Sequence, residues 1–178
     1  MARSIPFQHL RPLCLPVLLF TLTAHAGAPP PADAIAEAMQ LYAQALPMAI
    51  NSPQRARHLR QSEAILKQVI REHPSSLDAH RKLLGVYLLQ QDYGNAIPTM
   101  QRAITLSPED PKLFIGLAFL YEHSGALEYA RAMLAQALEL DPQNSLAREY
   151  HRAIGEKIQL RDMALERGHG AGAPAAGH

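Results

Sequence analysis

The chain has 178 residues, 48% of them apolar, enough for one domain with a core. Its formal charge of +1 gives no general case for a nucleic acid or another polyanion as partner. There is no tryptophan, strand-favouring residues do not cluster, and Met, Leu, Ala, Gln, Glu and Arg set the tone, which predicts an all-α fold.

Residues 1–26 read as a secretory signal peptide. Arg3 and Arg11 supply positive charge, Leu13 to Leu22 is an apolar run, and Ala24-His25-Ala26 places small residues at both cleavage-specifying positions. The run is too short for a comfortable membrane span. A retained amphipathic anchor is the alternative, since Pro16 interrupts the run. Cleavage after Ala26 leaves 15 basic against 16 acidic residues and removes Cys14, the single cysteine. The exported chain then has no disulfide or thiol chemistry. Cys14 follows Arg11-Pro12-Leu13, unlike a lipidation site, and the expected destination is the periplasm.

Residues 27–32 form a proline-rich lead-in, stiff and extended because proline fixes φ and removes a donor. A helical domain is expected over 33–167. Asp33 opens its first helix, with Ile35, Met39, Tyr42 and Leu46 at helical spacing and Pro47 near its end. Ser52 is the candidate N-cap for a helix from Pro53 to Glu72, which carries Leu59, Ile65, Leu66, Val69 and Ile70. Ser75 or Ser76 caps the next, Leu77 to Gln90. A turn over Gln91–Gly94 leads into Tyr93 to Leu106. The following pair spans Pro111 to Glu122 and Ala126 to Leu140. Ser124-Gly125 makes the reversal, where glycine is free to take positive φ. A last helix, Ser145 to Arg167, offers Leu146, Tyr150, Ile154, Ile158 and Leu165 for packing. Residues 168–178, mostly Gly, Ala and Pro, are expected to be a disordered tail.

Two of these units match at a shift of 34 residues. Pro74, Pro108 and Pro142 keep the period, as do Leu83 and Leu117, Tyr87 and Tyr121, Ala96 and Ala130, Ala103 and Ala137, and Leu106 and Leu140. Ser62 and Val69 stand one period before Ala96 and Ala103, so 33–73 reads as a divergent first unit with an extended second helix. The period and these residues resemble the tetratricopeptide-repeat family. His80 and Phe114 sit at its aromatic position near the start of the first helix. Its leucine-glycine pair is displaced in Leu83-Leu84-Gly85 and becomes Leu117-Ala118 in the next unit. The resemblance implies a solenoid of antiparallel helix pairs closed by a C-terminal capping helix. The small residues would let helices approach, while Leu83, Leu117, Leu106 and Leu140 fill the core.

In that family the first helices of successive units line a concave face. The correspondence puts Asp78, Arg81, Gly85, Leu88 and Leu89 there, followed by Lys112, Ile115, Phe119, Glu122 and His123, with Leu146, Glu149 and Ala153 extending it. The partner-binding groove is therefore assigned to Asp78, Arg81, Gly85, Leu88, Lys112, Ile115, Phe119 and Glu122. Gly85 would admit a partner closely, whereas the alternative for Leu88, Ile115 and Phe119 is that they cover gaps between units. The lysine-arginine-asparagine clamp of some relatives, which holds a terminal carboxylate, is not expected: Gly85 and Gly116 replace its donors. Arg55, Arg57 and Arg60, with His58 among them, form a possible basic surface for headgroups or an acidic partner, or simply a solvated helix face.

No chemistry stands out. The histidines lack metal-ligand spacing, and there is no nucleophile elbow, phosphate loop or haem-attaching cysteine pair. The reading is a non-enzymatic adaptor or assembly factor for an envelope complex, without cofactor or metal, binding a protein or extended peptide and touching a membrane complex at its periphery. The alternative is a structural accessory subunit of one envelope oligomer.

Overall fold

The computed structural model describes residues 31–170. The expected signal segment, residues 27–30 of the lead-in and residues 171–178 of the tail lie outside them. Among the described residues there are seven helices and no strand: α1 Pro31–Ala45, α2 Pro53–Glu72, α3 Leu77–Gln90, α4 Tyr93–Leu106, α5 Pro111–His123, α6 Leu127–Leu140 and α7 Ser145–Gly170. Each helix packs on the next in chain order, and α1 also touches α3. The result is three antiparallel pairs stacked in a row, with α7 on α6. None of these helices is long and apolar enough to cross a membrane.

Local chemistry accounts for the boundaries. Ser52 Oγ accepts from Arg55 N at 3.4 Å, and Ser76 Oγ from Ala79 N at 3.3 Å. Asp92, Asp110 and Asn144 cap α4, α5 and α7 in the same way. Proline occupies the first position of α2 and α5, where its missing N–H costs no helical bond. The helix-ending turns after α3 and α5 share one geometry. Asp92 N donates to Tyr87 O at 2.9 Å, and Ala126 N to Tyr121 O at 2.8 Å, each closing over a residue in the left-handed region. That residue is Gly125 in one turn and Gln91, 34 positions earlier, in the other.

α1 starts at Pro31, inside the predicted lead-in, because proline is well placed at a helix start. α7 runs to Gly170, beyond the predicted end at 167.

The small residues sit where the units meet: Ala96, Ala103, Ala130 and Ala137 are buried. Ser62, the odd member of the series, is fully buried and donates from Oγ to Ala38 O at 2.8 Å. A hydroxyl at that depth needs such a partner. One hydrophobic cluster runs from α1 into α5, with Leu59, Leu66, Leu83, Tyr87, Met100 and Leu117 at its centre. A second, around Ala118, Ala130, Leu134 and Ile154, seats α7. Two of the predicted core leucines belong elsewhere. Leu106 is half-buried and Leu140 exposed. Each is the last residue of its helix, where fewer neighbouring turns surround a side chain. In α7, Ile154 is buried and Tyr150 and Ile158 pack against the second cluster, while Leu146 and Leu165 are exposed.

Candidate interaction surface

The predicted groove residues lie on the first helices α3 and α5, and several of them join one unit to the next. Gly85 faces α1: a Cβ there would stand 3.9 Å from the Tyr42 ring and hydroxyl. The approach that Gly85 permits is therefore by Tyr42 of its own chain. Arg81 of α3 pairs with Asp110, the residue that also caps α5. Glu122 of α5 accepts hydrogen bonds from Tyr150 and Lys157 of α7. Each first helix is thus tied to the following one by a contact on this face.

The electrostatics follow from that arrangement. Glu122 has only 17% of its side chain exposed. Burial pushes its carboxyl up, but the hydrogen bonds from Lys157 and Tyr150 outweigh it and hold the group below its ordinary value. Burial, then the Glu122 carboxylate, push the Tyr150 hydroxyl up. The other assigned residues remain more available. Asp78 is exposed, 3.9 Å from Lys82, and Lys112 is exposed at the start of α5. Ile115 is half-buried against the second cluster. Phe119 is 40% exposed, its ring 4.0 Å from that of His123, which lies 5.4 Å from Tyr93. That aromatic group is open on the α5 side of the face.

Leu88 belongs to a different place. With Leu89, Gln90 and Gln91 it lines one wall of a cavity of about 450 Å³, and Ile50, Arg55, Ala56, Leu59 and Arg60 line the other. The expected basic surface needs correction here. Arg55 is only 9% exposed and donates from a terminal guanidinium nitrogen to Leu89 O at 3.0 Å, neutralising the carbonyl end of α3. Arg60 stands on the cavity rim and Arg57 is exposed. At 3.6 residues per turn, Arg57 lies about 200° round α2 from Arg55, so the three cannot form one patch. The spacing in the sequence carried that signal, as did the extra helical turns that α2 has before Leu59. The cavity itself was missed because it is built by two units together.

Among the described residues no group of three His, Cys, Asp or Glu side chains is placed to hold a metal ion.

Tetratricopeptide-repeat profiles match residues 87–154 and 48–111, together more than half of the chain. The chain belongs to the tetratricopeptide-repeat family. Among curated proteins, the O-mannosyl-transferase TMTC1 of Mus musculus is 27% identical over 92 residues, 49% of this chain and 10% of that protein. The chain spans a tenth or less of the length of the curated relatives it matches, 10%, 10% and 5%. Among solved structures, the thermophilic tetratricopeptide protein TTC0263 of Thermus thermophilus superposes with a TM-score of 0.59 at 24% identity, over 70% of this chain and 63% of that one. The Yersinia enterocolitica type III secretion chaperone SycD, in complex with a peptide of the translocator YopD, gives a TM-score of 0.52 at 16% identity, over 67% of this chain and 93% of that one. Likeness at these identities is a likeness of fold.

Proposed function

We propose that this tetratricopeptide-repeat chain is a non-enzymatic periplasmic adaptor that holds protein components of an envelope assembly together. The observation that carries the reading is a stack of helix pairs whose first-helix face keeps Phe119, Ile115 and Lys112 at least partly open after the unit-to-unit ties are made. Aromatic side chains on such faces often dominate binding energy. The SycD complex with a translocator peptide lends support by showing a protein of this fold engaged with a peptide. The periplasmic part rests on Arg3, Arg11, the Leu13–Leu22 run and Ala24-His25-Ala26.

A second reading, a permanent subunit of one envelope oligomer, is favoured by Leu146, Leu160 and Met163, all exposed on α7. One experiment separates the cases. The native protein is recovered from the envelope fraction and its intact mass and assembly state are measured. A mass starting at Gly27 and a monomer that exchanges partners support the adaptor. A chain stable only inside one complex supports the subunit. A cytoplasmic protein starting at Met1 or Ala2 overturns the periplasmic assignment.

A further inference from the structure

The cavity between the first and second units has a chemistry of its own. α2 is 20 residues long against 14 for α4 and α6, and its surplus lies at the N-terminal end. In register with the other second helices, α2 would begin at Leu59. The added turns carry Arg55 and Ala56 beyond the edge of the stack and raise a wall opposite the end of α3. Ile50, 77% exposed, contributes from the preceding loop.

That wall is both apolar and cationic. Ala56, Leu59 and Leu88 supply hydrocarbon, and Arg55 and Arg60 supply guanidinium groups. Among the described residues, no acidic side chain lines the cavity. The nearby Glu63 is engaged by Lys67 at 2.6 Å and Gln90 at 3.2 Å. Arg55 is more than nine-tenths buried and gives one N–H to Leu89 O; a guanidinium carries five donors. A buried cation of this kind calls for an anionic partner.

The turn at the rim adds an independent observation. Gln91 holds φ +59, a conformation that favours glycine, and lines the cavity. The equivalent turn one unit later uses Gly125, at φ +79. A side chain kept where glycine would be easier, beside a cavity, fits a role in recognition.

We propose that this cavity binds a peptide segment of a partner protein in which an acidic side chain stands next to a large aliphatic one. The carboxylate meets Arg60 and the remaining donors of Arg55, Gln91 adds its amide, and the aliphatic group lies against Leu59, Leu88 and Ile50. The site is on the edge of the solenoid that carries the intra-unit turns and is lined by α2, α3 and their flanking turns, with no residue of α5 among the described residues. It rests on the protein-binding reading above.

The test uses the ¹⁵N-labelled full chain titrated with acetyl-Leu-Asp-Leu-amide and its Leu-Asn-Leu counterpart. The Asp peptide is expected to shift amides over 88–91 and 56–60, and to bind about tenfold more tightly than the Asn peptide, the size expected for a charge-assisted contact. Arg60→Gln should remove that preference. Gln91→Gly should weaken binding while raising the midpoint of thermal unfolding, which separates recognition from folding. Arg55 is a poor sole probe because it also caps α3. Equal affinity for the two peptides, shifts centred on Ile115 and Phe119, displacement by an equal concentration of inorganic phosphate, or full binding by Arg60→Gln and Gln91→Gly overturns the proposal. The adaptor reading survives such a failure if partner contact is found at the first-helix face.

Discussion

Leu117→Ala measures how far the stacked core holds this chain together. Leu117 is 3% exposed and belongs to the larger hydrophobic cluster. Truncation removes Cγ, Cδ1 and Cδ2, a transfer loss of about 2–2.5 kcal/mol at roughly 0.8 kcal/mol per carbon. The cavity left behind adds to this, at ~24 cal/mol per Å³. Met100 limits that second contribution. Its Cε comes within 2.5 Å of where a Cβ on the adjacent Gly116 would lie, and an unbranched thioether moves readily into a gap. A residual void on the order of 30 Å³ gives a total near 3 kcal/mol, about the low end for buried leucines. Urea unfolding followed by circular dichroism reads the change. Leu140→Ala is the control, since Leu140 shares the repeat pattern but is exposed, and it should cost under about 1 kcal/mol. A loss below about 0.5 kcal/mol for Leu117→Ala, or equal losses for both, would refute the assignment of the core.

Gly85→Ala should stabilise the chain by about 0.5–1 kcal/mol, because alanine favours a helix interior and Tyr42 stands at ordinary contact distance; a lower unfolding midpoint would contradict this. Glu122, whose carboxyl is held low in the fold, contributes stability that is present above the unfolded carboxylate value of about 4.3 and lost as pH falls through the lower folded value. Thermal midpoints measured across acid pH should therefore drop less steeply for Glu122→Gln than for the parent, and parallel curves would rule the contribution out.

The fold was legible because it is periodic. Proline turns, serine caps and alanines at a 34-residue shift each act locally, and α2, α3 and α4 begin and end where those signals place them. The groove was less legible because a repeat position specifies a helix face but not its occupant. Arg81, Gly85 and Glu122 sit at first-helix positions, yet their partners are Asp110, Tyr42, Tyr150 and Lys157 from neighbouring units. Those contacts span up to 43 residues, from Tyr42 to Gly85, and leave no local pattern. Leu106 and Leu140 show the opposite limit: they keep the period, but a position at a helix end does not ensure burial. The edge cavity depends on an insertion in α2 meeting the end of α3, a juxtaposition that periodicity alone does not reveal.

The most direct test of the adaptor account is site-specific photo-crosslinking in the native envelope. A photoreactive residue is placed at Phe119 on the first-helix face and, separately, at Glu139 on α6, which is exposed. The account predicts a discrete cross-linked partner from position 119 and little from position 139. Equal products from both positions, or a partner captured only from position 139, would contradict it and move the binding surface to the outer helices.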